Sequence, residues 1–497
     1  MMAWIVGLEV FLHWEVWAAL AAGALIGIVF GCIPGLTAAM GVGVFIPVSF
    51  ALSPVAGIAL LIAIYKGGTY GGAISGIMVN VPGTPSSIPT TMAGYPLAKK
   101  GYANLALSAA ALGSLFGGVV GVAFLIFAGP QVARFALRFG PVEFASLFIF
   151  AVTIIAHLSR ESMLKGLIAG VLGFLISSIG MDPMVGVPRF HFGMIELYDG
   201  VPRIIALIGM FAGVAVFGYL ESLAQKTELQ MIEPRGERIR IREVLSEWKA
   251  LLRASVIGTA LGFIPGPGGG TSSFVAYADA KARGLLPNVE TEGSIRGVLV
   301  SEAANNAAVG GALITLFALG IPGDTVTAVL YGGILIQGLT PGPTMFAESP
   351  ILTYGILIST VFATIFFALF GFFGSKYLAR ILKAPGHYLW PAVWMMAFIG
   401  AFGLYNRPFD LTLILIFAVV GYLLHKGGFP IGPISLGILL GTSFEANLRR
   451  ALIRFRGDWT VFFTRPISLV LLILTALSIG HAVYSAVKNK PVETLES

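Results

Sequence analysis

Long apolar runs alternate with short polar breaks along almost the whole chain. They predict spanning or near-spanning helices at roughly 14–32, 36–52, 54–81, 103–128, 141–158, 162–180 and 201–223. Residues 224–253 then hold seven basic side chains (Lys226, Arg235, Arg238, Arg240, Arg242, Lys249 and Arg253) and five acidic ones. This stretch reads as a cytoplasmic linker near the midpoint. Apolar segments resume at about 250–264, 271–283, 294–321, 325–339, 350–374, 388–404, 409–424, 431–444 and 466–487. Several exceed the roughly 18 apolar residues that mark a spanning helix. Others are too short or too rich in Gly and Pro to cross alone. A β-barrel would instead show alternating segments of about 10 residues. The pattern therefore predicts an all-α polytopic membrane protein.

The pattern also repeats. Gly27-x3-Gly31-x2-Pro34-Gly35 returns as Gly258-x3-Gly262-x2-Pro265-Gly266. Gly71-Gly72-Ala73-Ile74 returns as Gly310-Gly311-Ala312-Leu313, and Val81-Pro82-Gly83-Thr84 as Ile321-Pro322-Gly323-Asp324. Ala133 to Arg138 is echoed by Ala379 to Lys383. The order is kept, as in a diverged duplication. The division that follows is a first membrane repeat at 1–223, a charged cytoplasmic linker at 224–249, a second repeat at 250–464, and a C-terminal helix and tail at 465–497. Twofold repeats with interrupted helices point to a secondary transporter whose site lies at the repeat interface. An odd number of crossings per half makes the repeats inverted. The cluster Arg449, Arg450, Arg454, Arg456 and Arg465 also reads as a cytoplasmic loop. That requires an even count between it and the linker, which a half-penetrating re-entrant hairpin reconciles. The echoed stretches near 131–139 and 376–384 are short and amphipathic. They read as interfacial segments with snorkelling Arg and Lys, or as arms joining a mobile part to a fixed frame.

Composition agrees. The 497 residues are 57% hydrophobic and 11% charged, against about 25% charged in soluble domains. The net charge of +7 follows from basic cytoplasmic loops and does not call for nucleic acid. The single cysteine, Cys32, leaves no internal disulfide and no Cys-based metal site, and the six histidines show no metal spacing. No Lys or Arg precedes Lys66. A secretory signal needs a basic start, so the first apolar run is expected to be a retained helix with a non-cytoplasmic N-terminus.

No Ser-His-Asp set, HExxH or Walker motif is present, so neither an enzyme nor an ATPase is expected, and no cofactor. The chemistry concentrates in the helix breaks. In Asn80-Val81-Pro82-Gly83-Thr84-Pro85-Ser86-Ser87 the Pro-Gly pair must break the preceding helix. Thr84, Ser86 and Ser87 then offer cap-type hydroxyls. Its counterpart is Gly320-Ile321-Pro322-Gly323-Asp324-Thr325. Each resembles a hairpin tip followed by a new helix, whose N-terminus carries roughly +0.5 charge and holds carboxylates. Two tips meeting at the midplane suit a carboxylate substrate. Asp324 either caps its own helix or ligates a cation. The Gly/Pro loops are Pro34-Gly35-Leu36-Thr37 and Pro265-Gly266-Pro267-Gly268-Gly269-Gly270-Thr271-Ser272-Ser273. Their freed carbonyls suit a cation such as a coupling ion and their N–H groups an anion, with Thr and Ser hydroxyls serving either; the alternative is a packed turn. Within the apolar run near 300, Glu302 is a candidate for a proton or cation, and Asn305 and Asn306 for ligation or interhelical bonds. Lys66 is expected to snorkel, or else to pair with a carboxylate.

Several of these motifs resemble the tripartite tricarboxylate transporter large membrane subunit, the TctA family. They are Gly31-x2-Pro34-Gly35-Leu36-Thr37, Tyr70-Gly71-Gly72, Asn80-Val81-Pro82-Gly83-Thr84, Gly94-Tyr95-Pro96-x-Ala98 and Arg189-Phe190-x-Phe192-Gly193. Later come Pro265-Gly266-x-Gly268, Glu302-Ala303-x-Asn305-Asn306-Ala307, Leu319-Gly320-Ile321-Pro322-Gly323, Gly338-Leu339-x-Pro341-Gly342-Pro343, Leu448-Arg449-Arg450-Ala451-Leu452 and Arg465-Pro466. The resemblance spans about residues 15 to 487. It implies a multi-pass permease of the bacterial inner membrane with an elevator-like movement. It also implies a small four-helix membrane subunit and a periplasmic substrate-binding protein as partners, Na+ or H+ as the coupling ion, and a tricarboxylate such as citrate or a related carboxylate as cargo. Ala93, Lys66 and His191 depart from the family pattern.

The expectation is cation-coupled uptake of an organic carboxylate. Asn80, Pro82, Gly83, Thr84, Ser86, Ser87, Asn305, Asn306, Pro322, Gly323 and Thr325 would bind substrate. Gly35, Thr37, Gly266, Gly268, Thr271, Glu302 and Asp324 are the coupling-ion candidates. The alternative is a non-transporting scaffold or channel subunit of a membrane complex.

Overall fold

The structure is a computed structural model. It describes residues 7–33, 36–157, 163–182, 184–224, 232–265, 268–286, 289–380, 391, 394–395, 398–399, 401–402 and 406–488. Gly35, Gly266, and the expected segment 388–404 in large part, lie outside the described residues. The principal helices of the first half are α1 (Trp14–Cys32), α2 (Ala38–Phe50), α3 (Pro54–Val79), α4 (Ile88–Leu97), α5 (Ala103–Ala136), α6 (Pro141–His157), α7 (Met163–Ser177) and α8 (Arg203–Ala224). The second half holds α9 (Trp248–Phe263), α10 (Gly268–Ala282), α11 (Ile295–Ile314), α12 (Thr325–Ile336), α13 (Pro350–Leu378), α14 (Pro408–Lys426), α15 (Ile431–Arg454) and α16 (Pro466–Lys488). Gly180–Met181 and Pro188–Arg189 form a two-residue antiparallel ribbon, β1 and β2. Among the described residues six helical runs are long and apolar enough to cross a membrane.

The chain gathers into two compact units, residues 1–137 with 202–423, and residues 138–201 with 424–497. In the first unit α3 is the axis. Its residues Val55 to Val79 are all buried, as befits a helix that is apolar all round. Close approach rests on glycine. A side chain on Gly27 or Gly31 of α1 would collide with the backbone of Ile64 and Gly68 on α3. The same holds for Gly117 and Gly121 of α5 against Ala303 and Ala307 of α11, and for Gly258 and Gly262 of α9 against Ala304 and Ala308. Without water in the hydrocarbon to drive association, such small-residue stripes let dispersion contacts hold helices together.

The charged linker does not hang free where it is described. The N–H of Ile232 donates to Met78 O (3.0 Å), Asn104 N–H donates to Arg235 O (3.0 Å), and Ile239 N–H donates to Ser108 Oγ (3.0 Å). The amphipathic stretch near 131–139 is not a separate element up to Ala136: α5 continues through Pro130 with Ala133 and Ala136 buried.

In the second unit Val142, Ala145, Ala451, Val461 and Phe462 form an apolar core. Here the Arg-rich stretch expected as a loop from 449 is helical to Arg454. The reason is pairing. Arg449 reaches Glu445 one turn back (2.7 Å) and Asp182 in the α7–β1 region (2.7 Å), while Arg189 holds Glu445 through two bonds of 2.7 and 3.0 Å. Asp182 also accepts from the N–H of Met184 (2.8 Å) and Val185 (3.1 Å). The Met184 N–H above all, then Val185 and Arg449, hold its carboxyl below the usual carboxylate range.

Candidate functional site

The first break forms as its residues dictate. α3 ends at Asn80, whose φ of 58° and ψ of 22° place it in the left-handed region, which Asn tolerates better than most residues. The Gly83 N–H then turns back to Gly72 O at 3.3 Å. Gly83 is required there, since a side chain would strike the Gly31 carbonyl. Pro85–Ser87 make one 3-10 turn before α4. Thr84 does not cap that turn as expected. Its Oγ1 lies 2.9 Å from both Ser86 Oγ and Ser87 Oγ, so the three hydroxyls satisfy one another. The cluster seats on Gly72, where a Cβ would come within 2.5 Å of Ser87 Oγ and 2.6 Å of Thr84 Oγ1. Ser86 and Ser87 are buried, Pro82 and Thr84 partly so, and Asn80 is exposed.

The second break is built differently. α11 continues through a π-type turn, Thr315–Leu319, to Gly320 at φ 70°. Pro322 and Gly323 are buried. Asp324 caps α12: its Oδ1 accepts from Thr327 N (2.8 Å) while its own N–H donates to Thr327 Oγ1 (2.8 Å). Its Oδ2 accepts the Tyr65 hydroxyl of α3. A carboxylate of the chain itself therefore occupies the N-terminus of α12, where a substrate anion was expected. Thr325, the first residue of α12, is exposed.

The two breaks are not bonded to each other among the described residues. Each is instead held by the other half of the chain. Ser273 Oγ on α10 donates to Ser86 O at 2.7 Å, and Tyr65 reaches Asp324 in return. Gly268 begins α10 and Thr271 lies half-buried on it. Thr37 caps α2, its hydroxyl accepting from Met40 N at 3.2 Å.

Between the breaks runs a buried polar layer. Glu302, Asn305 and Asn306 on α11 are all fully buried. Glu302 accepts Thr90 Oγ1 of α4 at 2.6 Å and Ser114 Oγ of α5 at 2.8 Å. Asn306 Nδ2 donates to Ser114 Oγ (2.9 Å), and Asn305 Nδ2 to Thr69 O of α3 (3.3 Å). Lys66, three residues before Thr69, is 0% exposed. It does not snorkel, because α3 is enclosed along its whole length. Nor does it pair with a carboxylate among the described residues. Its Nζ lies beside Gly118, one turn along α5 from Ser114, where a Cβ would stand 3.6 Å away. Among the described residues four buried atoms here have no hydrogen-bond partner: Lys66 Nζ, Tyr70 Oη, Asn305 Oδ1 and Asn306 Oδ1.

Buried polar groups in proteins are nearly always paired, and unpaired ones at membrane depth are costly. A cation, a donor and two amide acceptors left open in one layer can receive a ligand bearing both negative charge and hydroxyl donors. The sequence points to Glu302, Asn305, Asn306 and Ser273 but not to Tyr65, Thr69, Thr90 or Ser114. For Ser114 a signal existed: it is a polar residue among Gly113, Gly117, Gly118 and Gly121, on a glycine-lined face.

Comparison with known proteins agrees in kind. The chain is 33% identical over 478 residues to an uncharacterized 52.8 kDa protein in the TAR-I ttuC' 3' region of Agrobacterium vitis, covering 94% of this chain and 93% of that one. It is 36% identical over 233 residues to an uncharacterized protein in the TAR-II ttuC' 3' region of the same organism, covering 47% of this chain and 96% of that one. No solved structure matches. The profile of the tripartite tricarboxylate transporter TctA family matches residues 18–436, nearly the whole membrane part. This chain, a multi-pass membrane protein and a transporter component, belongs to the tripartite tricarboxylate transporter TctA family.

Proposed function

We propose that the chain is the permease subunit of a binding-protein-dependent secondary transporter that takes up an organic carboxylate in symport with Na+ or H+. Citrate or a related di- or tricarboxylate is the cargo class. The partners are a small four-helix membrane subunit and a periplasmic substrate-binding protein, and the setting is a bacterial inner membrane.

One observation carries this reading: Lys66 Nζ, Asn305 Oδ1 and Asn306 Oδ1 are fully buried, without partners among the described residues, in the layer between the two breaks. An ammonium suits a carboxylate, and the amide oxygens suit a substrate hydroxyl or a bound cation. Glu302 in the same layer takes the proton or coordinates the cation. A trianion entering against an inside-negative potential needs three cations to cancel its charge and a fourth for the potential itself to draw it inward, at about 2.3 kcal/mol per charge per 100 mV.

The glycine contacts support two repeats. Gly27 and Gly31 meet Ile64 and Gly68 in one half as Gly258 and Gly262 meet Ala304 and Ala308 in the other. Asn80 and Gly320 end the corresponding helices at φ 58° and 70°. Inverted repeats rocking or sliding as an elevator are the movement this suggests.

The test is uptake into proteoliposomes holding the chain with both partners, under imposed Na+ or H+ gradients. Carboxylate accumulation above the equilibrium level under either gradient is expected. Absence of accumulation under both would overturn the reading.

A further inference from the structure

Two adjoining hollows on the first unit share Lys249 and Arg253. The first, about 540 Å³, is a groove along α9 lined by Trp248, Leu252, Val256 and Ile257 together with those two residues. Trp248, Leu252 and Val256 recur every fourth position, so they lie on one face, and all three are exposed. From Trp248 to Val256 the helix rises about 12 Å, close to the depth of one leaflet of a roughly 30 Å hydrocarbon core. The second hollow, about 410 Å³, lies at the α9 N-terminal end. Lys249, Arg253, Arg283 and Arg296 surround it with Glu247.

Charge decides what fits. Arg253 is spent on Asp279, through bonds of 2.7 and 2.7 Å. Arg296 is spent on Glu247, at 2.8 and 2.5 Å. Lys249 and Arg283 have no ion pair among the described residues. Lys249 Nζ instead stands 5.8 Å from the Trp248 ring. Arg283 shares the field of Asp279 with Arg253, so four cations stand against the carboxylates of Asp279 and Glu247, and two positive charges in excess flank a pocket that shares its wall with an apolar groove, with a tryptophan at the junction. Trp and basic residues mark the membrane–water interface, and basic hollows beside membrane helices take anionic lipid headgroups.

We propose that this is a binding site for an anionic phospholipid, its phosphate held between Lys249 and Arg283 and an acyl chain laid along Trp248, Leu252 and Val256. The site is separate from the buried layer around Lys66, so it stands whether or not that layer binds a carboxylate.

The test uses the full chain in nanodiscs or detergent, with phosphatidylglycerol or cardiolipin as probe, read by native mass spectrometry. Retention of anionic lipid is expected. The double variant Lys249→Gln/Arg283→Gln should weaken it roughly thirtyfold, at about fivefold per cation. The charge-keeping variant Lys249→Arg/Arg283→Lys should retain lipid, and Val256→Asp should lose it. Inorganic phosphate alone and phosphatidylcholine should not be retained. Equal retention by wild type and the Gln pair would overturn the proposal, as would equal binding of phosphatidylcholine. Full competition by inorganic phosphate would assign the pocket to a free anion and overturn the lipid assignment.

Discussion

Lys66→Met separates a structural lysine from a ligand-binding one. Methionine keeps the unbranched length of the side chain and fills irregular space well. Lys66 is fully buried in the middle of a spanning helix and has no hydrogen-bond or ion-pair partner among the described residues. A charged side chain at such depth costs about 2.5–3.5 kcal/mol. Replacing it should therefore stabilise the unliganded protein, by up to about 3 kcal/mol. If the proposed site holds the carboxylate, the same ammonium would make a charge-assisted contact with it worth about 1.5–3 kcal/mol. Its loss should weaken carboxylate binding by about 10- to 150-fold, at 1.4 kcal/mol per decade. Scanning fluorimetry of the purified chain, with and without carboxylate, reads both effects. The expected result is a higher melting temperature without ligand and a lost ligand-induced shift. A lower melting temperature combined with an undiminished ligand shift would refute the reasoning and make Lys66 a packing residue.

Three further outcomes follow from other contacts. Glu302→Gln keeps one acceptor oxygen for Thr90 or Ser114 but not the negative charge, so the protein should fold and bind carboxylate while uptake loses its dependence on the imposed ion gradient. Gly117→Ala sets a methyl against the Ala303 carbonyl, where α5 and α11 have no room. It should cost about 1–3 kcal/mol, seen as a lower melting temperature, and an unchanged one would contradict the close packing. Asp182 has its carboxyl held low by the Met184 N–H first and by Arg449. Its contribution is therefore present above the ordinary carboxylate value of about 3.9 and lost as pH falls through the lower folded value. Melting curves from pH 3 to 7 should show Asp182→Asn less stable than wild type at neutral pH, with the gap closing in acid.

The spans and breaks were legible because they need only local information. Apolar length marks a helix, and Pro82-Gly83 or Pro322-Gly323 must end one. The site was legible in part: Glu302, Asn305 and Asn306 stand out as polar residues in an apolar run. What they touch was not legible, because Thr90, Ser114 and Thr69 are ordinary hydroxyls until tertiary packing brings them to α11. The snorkelling expectation for Lys66 fails for a related reason. A lysine in an apolar run snorkels when its helix faces lipid, and nothing local says that α3 is enclosed on every side. Asp324 was read with two alternatives, and the structure adds Tyr65 to the capping one. Arg449 looked like a loop residue because arginines cluster there, yet Glu445 one turn back and Asp182 far away in sequence make it part of a helix. The grouping of residues 138–201 with 424–497 likewise rests on contacts between distant segments.

The central claim is that the buried layer on α3, α5 and α11 is where the substrate binds. A structure of the chain determined with a bound di- or tricarboxylate tests it most directly. The account expects a carboxylate oxygen within hydrogen-bond distance of Lys66 Nζ, with Asn305 and Asn306 on the same ligand. A carboxylate bound elsewhere, with Lys66 Nζ and both amide oxygens still unpartnered, would contradict it.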